Sequence, residues 1–319
     1  MKITYLLQNP GIASRTPEGW KSAVIAARPD GCYDEEDLRE VADSDFLVVG
    51  LEPVPETLFA RAKKLKLVQR LGVGYDNIDL EAAARYGVLV CNMPDFNAAT
   101  VAEHTIMLIL ALLRRAFEST LLMKASQWPL TTVISQGVFD LQGKTLGIIG
   151  LGEIGREVAR RVKPFEVKIC YYDRNQLPPA DEMDLDATFV SLDYLLRHSD
   201  IVTIHIPLSS ETQHLIGEAE LRKMKSTALL INTARGAIVD EEALAEALEQ
   251  GIIAGAGLDV FAEEPLGPRH PLRRCQNVLL TPHTAGQTRE AMERMVDMML
   301  ENVLRVARGE EPRYRIEPG

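Results

Sequence analysis

The chain has 319 residues, a formal net charge of −11 and 46% hydrophobic residues. That length suggests about two domains, and the apolar content is sufficient for packed cores, so extended disorder is not expected. The acidic balance argues against a nucleic-acid-binding protein, because phosphate recognition requires concentrated Lys and Arg.

The first 95 residues alternate between short β-branched runs and amphipathic stretches. Gly87 follows the second amphipathic stretch, where helices commonly end in a glycine. This alternation predicts parallel strands joined by crossover helices. The predicted strands are 3–7, 46–49, 67–70 and 88–91, and the predicted helices are 55–64 and 80–86.

Residues 98–124 contain neither Gly nor Pro and keep an apolar face, so one long helix joining two domains is expected. A second alternation of strands and helices follows it. Six such strands predict a doubly wound nucleotide-binding domain. The predicted strands are 145–149, 167–172, 201–205, 228–232, 255–260 and 277–280.

The stretch 287–308 again has a helical pattern. Because the last predicted strand of the second domain ends before it, we expect this helix to return to the first domain. The predicted division is therefore a discontinuous domain, 1–97 with 287–319, and a continuous domain, 98–286.

The predicted strand 145–149 runs directly into Gly150-x-Gly152-x-x-Gly155. In this motif the three glycines allow a tight turn, close approach of a pyrophosphate, and close packing of helix on strand. The next strand ends in Asp173, where an acid accepts hydrogen bonds from ribose hydroxyls and disfavours a 2′-phosphate. We therefore predict NAD binding here, with Arg174 left as a phosphate contact, a surface charge or a residue stacked on adenine.

Arg235, Glu264 and His283 each follow a predicted strand of the second domain. Any one of them alone could be structural. Because the carboxyl ends of the strands in a doubly wound sheet form its ligand crevice, we expect the three side chains to converge there. An arginine, an acid and a histidine in one crevice are typical of a catalytic site.

These residues belong to a set of motifs that closely resembles the D-2-hydroxyacid dehydrogenase family, whose members include phosphoglycerate, glycerate and lactate dehydrogenases. The resemblance implies an α/β fold of two doubly wound parallel-sheet domains, a Rossmann NAD-binding domain and a flavodoxin-like substrate domain, with a cleft between them. It also implies hydride transfer between nicotinamide and carbon 2 of a small D-2-hydroxy or 2-keto acid. The motifs lie at 71–79, 92–94, 101–104, 150–155, 205–208 and 232–236.

By position, the resemblance assigns Arg235 to the substrate carboxylate and keto oxygen, since a guanidinium fork matches a planar carboxylate. His283 would be the acid/base, and Glu264 would orient its ring and stabilise its protonated form. Backbone N–H groups near Val73 and Gly74 would also bind the substrate carboxylate. The implied cofactor contacts are Gly150, Gly152, Glu153, Ile154, Gly155, Asp173, His205, Pro207, Thr233, Ala234 and, at the nicotinamide carboxamide, Asp259.

The remaining histidines give no signal of a metal site. His205 ends a predicted strand and either lines the cofactor crevice or serves packing. It and the histidines at 104, 198, 214 and 270 lack metal-ligand spacing, and hydride transfer requires no metal, so none is predicted.

The substrate is left open among glyoxylate, hydroxypyruvate, phosphoglycerate and similar acids. Arg70 is a candidate cation for a phosphorylated substrate, but the segment 49–53 lacks the basic residue that similar phosphoglycerate dehydrogenases place there. An alternative from another class is an NAD(H)-sensing, corepressor-like binding protein on the same fold. A third alternative is a dehydrogenase of a one-carbon or phosphorus oxyanion. Glu264 argues against formate, because similar formate enzymes have an amide at that position.

Partners and location follow from composition and resemblance. No signal peptide or ~20-residue apolar stretch is found, so a cytoplasmic protein without membrane contact is expected. A homodimer is expected because, in the family, the helix from Ala98 and the loop after it form a two-fold interface.

Overall fold

The computed structural model describes residues 1–7, 10–25 and 32–317. It divides into two compact units, Met1–Phe96 with Arg289–Gly319, and Asn97–Thr288. None of the helices in these described ranges has the length and apolar character needed to cross a bilayer.

The first unit contains a five-stranded parallel sheet in the order β2-β1-β3-β4-β5, which is the flavodoxin-like order. Its strands are β1 (Lys2–Leu6), β2 (Lys21–Ile25), β3 (Phe46–Val49), β4 (Leu67–Arg70) and β5 (Leu89–Cys91). The helices between them are α1 (Glu35–Ala42), α2 (Glu56–Arg61) and α3 (Leu80–Arg85).

The second unit contains a seven-stranded parallel sheet. Its strands are β6 (Thr145–Ile149), β7 (Lys168–Tyr172), β8 (Ala187–Phe189), β9 (Ile201–Ile204), β10 (Leu229–Asn232), β11 (Gly255–Leu258) and β12 (Val278–Leu280). The order β12-β11-β10-β9-β6-β7-β8 reverses direction between β6 and β9, where a doubly wound sheet places its ligand crevice.

The helices of the second unit cover this sheet. They are α4 (Ala98–Leu113), α5 (Ala116–Lys124), α6 (Leu130–Gln136), α7 (Glu153–Val162), α8 (Pro179–Leu185), α9 (Leu192–His198), α10 (Glu218–Leu221) and α11 (Glu241–Glu249). Along β10, Leu230 belongs to one apolar cluster while Leu229 and Ile231 belong to another. Since successive strand residues point to opposite faces, both faces of the sheet are buried.

The last helix, α12 (Arg289–Ala307), packs in the first unit. Met295, Met299 and Val303 share one cluster with Ile3, Tyr5, Phe46 and Val48 of the sheet. The opposite face of the sheet packs against residues of α1, α2 and α3. The first sheet is therefore covered on one face by α12 and on the other by the three helices that connect its strands.

The predicted α/β class with two parallel sheets is confirmed. The single long helix predicted for 98–124 is wrong, because α4 ends at Leu113 and α5 starts at Ala116. Arg115 between them has a left-handed backbone (φ 47°), and its guanidinium donates to the carbonyls of Gln136 and Gly137. The break therefore depends on contacts with a distant segment.

Some strands and α-helices were not predicted. They are the strands β2 and β8 and the helices α1 and α6. Gly87 has a positive φ of 67° directly after α3, as its predicted place at a helix end requires.

Candidate active site

The glycine-rich turn lies between β6 and α7. Gly152 is the N-cap of α7 and offers no side chain to the first-turn N–H groups, and a Cβ added to it would meet nothing within 4 Å. A Cβ on Gly155 would lie 2.2 Å from the Gly150 carbonyl oxygen, so helix and turn pack too closely for any other residue. Uncapped N–H groups facing open space are what a pyrophosphate requires, so this turn fits a dinucleotide.

Asp173 follows β7 and is tied to the glycine-rich turn. Its Oδ2 accepts a hydrogen bond from the Leu151 N–H at 2.8 Å, and its Oδ1 accepts from the Arg174 N–H at 2.7 Å. The Arg174 guanidinium pairs with Glu211 at 2.7 Å. Asp173 thus lies beside the glycine-rich turn, and Arg174 already has a carboxylate partner. The contact of Asp173 with the ribose stays a prediction.

His205 lies on the other side of this turn, directly after β9. Its carbonyl oxygen would be 2.7 Å from a Cβ on Gly150, and the Pro207 carbonyl accepts a hydrogen bond from the Thr212 hydroxyl. The His205 Nε2 contacts Thr203 Oγ1 at 2.9 Å, whereas Nδ1 is buried with no hydrogen-bond partner among the residues that the structure describes. Burial lowers the pKa of His205 to about 3, so the ring is neutral at physiological pH.

The predicted acid/base residues lie after β11 and β12, which are neighbours in the sheet. The Nδ1–H of His283 donates to Glu264 Oε2 at 2.7 Å, and Glu264 Oε1 accepts from the Phe261 N–H at 2.9 Å. The His283 side chain keeps 34% of its surface exposed. Because Nδ1 is used by the carboxylate, Nε2 is the nitrogen left for a reacting molecule.

Opposing effects act on the Glu264 carboxyl. Burial favours its neutral form, but hydrogen bonds from His283 and from the Phe261 N–H, with the charges of His283 and Arg235, outweigh burial. The pKa of Glu264 therefore lies below its ordinary value, and this residue is an anion at neutral pH.

Arg235 follows β10, the next strand in the sheet. Its Nη1 donates to the Ala234 carbonyl at 2.7 Å, and its charge acts on Glu264. A Cβ on Gly236 would stand 1.9 Å from the Phe261 carbonyl carbon. The loop after β10 that carries Arg235 (the arginine loop) and the loop after β11 that carries Glu264 (the glutamate loop) therefore pack backbone to backbone. The structure thus brings the three predicted residues to one edge of the second sheet.

Asp259 shapes the loop that carries His283. Its buried carboxylate accepts hydrogen bonds from the Thr281 hydroxyl and from the N–H groups of Thr284 and Ala285, and its carbonyl accepts from the His283 N–H. These bonds fix the backbone of His283, which has a positive φ of 54°. The predicted contact of Asp259 with the nicotinamide carboxamide stays a prediction.

His104 of α4 joins this network, a role that the sequence did not suggest. Its Nε2 lies 3.0 Å from Thr281 Oγ1, which itself donates to Asp259, so His104 acts as the donor. Burial lowers the pKa of His104, against the opposing charge of Asp259. Thr233 is similarly tied to α4, since its hydroxyl lies 3.1 Å from that of Thr105.

Val73 and Gly74 lie in the first unit, in the loop after β4. The Val73 carbonyl accepts a hydrogen bond from the Asn92 amide at 2.8 Å. Arg70, which ends β4, is 5% exposed, and its Nη1 donates to the Leu71 carbonyl. The guanidinium of Arg70 therefore supports its own loop.

Comparison with known proteins identifies the family. Residues 106–285 match the model of the D-isomer specific 2-hydroxyacid dehydrogenase, NAD binding domain. The chain belongs to the D-isomer specific 2-hydroxyacid dehydrogenase family. The predicted family is thereby confirmed, and the protein is an NAD-dependent dehydrogenase with NAD as its cofactor.

Relatives of this dehydrogenase cover 80% or more of its length. Glyoxylate reductase of Thermofilum pendens is 45% identical over 97% of this chain and 92% of its own, and that of Aeropyrum pernix is 48% identical over 80% and 77%. Among solved structures, the TT0316 protein from Thermus thermophilus has a TM-score of 0.88 at 35% identity, covering 99% of this chain and 100% of that chain.

Proposed function

We propose that this dehydrogenase reduces glyoxylate, or a 2-keto acid of similar size, to the 2-hydroxy acid with NADH. The observation that carries this proposal is the 2.7 Å hydrogen bond between His283 and the Glu264 anion, beside Arg235. A histidine held by a carboxylate is suited to donate a proton to a keto oxygen. The naming of relatives from two organisms as glyoxylate reductases supports the substrate class.

NADH, when bound, supplies the hydride that carbon 2 of the keto acid receives. Arg235 binds the substrate carboxylate and polarises the keto carbonyl. His283 gives a proton from Nε2 to the keto oxygen, so the product gains one hydride and one proton. Glu264 accepts the hydrogen bond from the His283 Nδ1–H throughout and stabilises the imidazolium before the transfer. Val73 and Gly74 remain the proposed backbone donors to the carboxylate.

The cofactor is held by the residues around the glycine-rich turn. The first-turn N–H groups at Glu153 and Ile154 would face the pyrophosphate, and Asp173 would accept hydrogen bonds from the ribose. A 2′-phosphate would meet the carboxylate of Asp173, which favours NADH over NADPH.

The first unit favours a substrate without a phosphate. Glu52 follows β3 at the carboxyl edge of the first sheet, the edge at which Val73 and Gly74 follow β4. It is 6% exposed, and its carboxylate oxygen would be 2.5 Å from a Cβ on Gly50. Arg70 is engaged by its own loop. An acid at this edge and no freely exposed guanidinium from Arg70 both disfavour phosphoglycerate.

A homodimer is part of the proposal. Neither α5 nor α6 has a buried residue, and large apolar side chains on them and on the loop between them are exposed. Such patches mark protein interfaces. Light scattering should give twice the 35.4 kDa mass of one chain, and a single chain mass would contradict the dimer. The exposed side chains include Phe117, Leu121, Trp128, Leu130 and Ile134.

A cytoplasmic location stays a prediction.

The test is a steady-state panel of glyoxylate, hydroxypyruvate, pyruvate, 3-phosphohydroxypyruvate and longer 2-keto acids, each with NADH and with NADPH. Turnover highest with glyoxylate and NADH supports the proposal. Tight NADH binding without turnover on any acid would instead identify an NAD(H)-sensing protein.

Two variants test the residue roles. Arg235→Ala and His283→Ala should each lose nearly all turnover while NADH affinity, measured by fluorescence titration, is retained. Arg269→Ala, at an exposed arginine of the same unit, is the matched control and should behave as the wild type. Normal turnover by Arg235→Ala would overturn the assignment.

A further inference from the structure

Glu241, the first residue of α11, contacts the distant segment 262–270 with both of its carboxylate oxygens. Its Oε1 accepts a hydrogen bond from the Ala262 N–H at 2.7 Å, and its Oε2 lies 3.0 Å from the Nε2 of His270. The Glu241 side chain is 10% exposed and that of His270 is 21% exposed. Both contacts are therefore largely shielded from water, where the charge-assisted hydrogen bond from the Ala262 N–H to the carboxylate is strong.

The two contacts fall at the two ends of the segment 262–270. Glu264 lies inside this segment, two residues after the first contact. Ala262, Glu263 and Pro265 are exposed, so burial of these neighbours does little to fix the backbone around Glu264. The hydrogen bond from the Phe261 N–H to Glu264 is local, spanning three residues. The contact of Glu241 with Ala262 spans 21 residues and ties the segment to a helix.

Arg235 lies on the stretch of chain that leads into Glu241. A short 3-10 helix, Gly236–Ile238, follows Arg235, and Asp240 then caps α11 by accepting from the Ala243 N–H. Glu241 is thus held at a rigid helix start six residues beyond the arginine that is proposed to bind substrate. A displacement of the glutamate loop relative to the arginine loop is resisted by Glu241.

We propose that Glu241 is a positioning residue that holds the segment 262–270 at both ends, so that Glu264 stays within hydrogen-bond distance of His283. His270 is its partner at the far end. The proposal rests on the proposed function, because it assigns Glu241 a task through the Glu264–His283 pair. It predicts that loss of Glu241 weakens the action of Glu264 without touching the cofactor site.

The test compares Glu241→Gln with Glu242→Gln, at the exposed neighbouring acid of the same helical turn. Glutamine keeps one side-chain oxygen, carries an NH2 group in place of the other and has no charge, so it cannot keep both contacts of the carboxylate. Glu241→Gln should lower kcat for glyoxylate by about tenfold with KM for NADH within about twofold of wild type, since small displacements of reacting groups are costly. Glu242→Gln should behave as the wild type.

Three further readouts separate positioning from general stability. In the Glu264→Gln background, Glu241→Gln should cause no further loss of kcat, because residues acting through one another are not additive. The upper pH limit of glyoxylate reduction should shift downward in Glu241→Gln, as in Glu264→Gln but by less. At the partner position, His270→Gln retains an N–H near the place of Nε2 and should keep more activity than His270→Leu.

The outcomes are distinguishable. Multiplying losses in the double variant, or a lower melting temperature with unchanged kcat and pH limit, would overturn the role of Glu241. If Glu264→Gln itself leaves the pH profile unchanged, the proposed function fails instead. If Glu241→Gln does not fold, equal activities of the two His270 variants would refute the proposal.

Discussion

Replacing Gly236 by alanine should separate the two loops that carry Arg235 and Glu264. An added Cβ would stand 1.9 Å from the Phe261 carbonyl carbon, 2.2 Å from the Ala262 nitrogen and 2.3 Å from the Phe261 Cα. All three are backbone atoms, so no side-chain rotation can relieve the overlap. The backbones themselves must move apart.

The size of the movement follows from these distances. Bringing the closest contact from 1.9 Å to the 3.4 Å of an ordinary contact requires a shift of about 1.5 Å. A misplacement of about 1 Å can cost a catalytic site roughly 100-fold in rate. Overpacking of this kind destabilises by about 1–3 kcal/mol, which corresponds to a melting temperature lower by about 2–12 °C.

We therefore expect Gly236→Ala to lower kcat/KM for glyoxylate by about 100-fold. NADH affinity should change less than kcat/KM, because the glycine-rich turn and Asp173 lie at other strands. The control is Gly267→Ala in the glutamate loop, where an added Cβ meets nothing within 4 Å and φ is not in the left-handed region. Wild-type kcat/KM in Gly236→Ala, or an equal loss in Gly267→Ala, would refute the reasoning.

Three further substitutions test the site. Glu264→Gln removes the anion beside His283, so kcat for glyoxylate should fall by about 100-fold and the upper pH limit of activity should shift downward. Asp173→Ala should raise KM for NADH by about tenfold, and less for NADPH, because charged hydrogen bonds contribute about 1.5–3 kcal/mol. His205, with its pKa lowered to about 3, should make the wild type lose stability as pH falls, because only the unfolded chain gains a proton below about 6.5. That loss is about 2 kcal/mol between pH ~7.5 and pH ~5, and His205→Gln should lack it.

Each of these three predictions has its own measurement and its own outcome that would contradict it. A pH–rate profile of Glu264→Gln that overlays the wild type would rule out the relay through that carboxylate. An unchanged ratio of NADH to NADPH efficiency in Asp173→Ala would undo the ribose assignment. Urea unfolding at the two pH values measures the His205 effect, and an equal pH dependence in wild type and His205→Gln would contradict it.

The sequence was most informative where a motif has a local physical cause. The glycine-rich turn and Asp173 could be located because the turn, the helix start and the acid follow one another closely along the chain. Arg235, Glu264 and His283 could be grouped because each follows a strand of one parallel sheet. The 2.7 Å hydrogen bond between Glu264 and His283 could not be predicted in this way, because it depends on how the two loops fold.

The features that were missed depend on distant partners. Nothing within 98–124 signals the break in the helix at Arg115, because the guanidinium of this residue donates hydrogen bonds to carbonyls 21 and 22 residues away. Glu241 resembles any acid in the first turn of a helix, where the helix dipole alone explains it. The role of His104 depends on Thr281, 177 residues further along the chain.

The packing of α12 has a consequence for how the chain is assembled during synthesis. One face of the first sheet is apolar at Ile3, Tyr5, Phe46 and Val48, and its cover arrives only with residues 289–307. The second unit is entirely translated before α12 leaves the ribosome and can fold while that face is still uncovered. Nascent chains halted before α12 would therefore present a hydrophobic, aggregation-prone surface that is a natural target for chaperones.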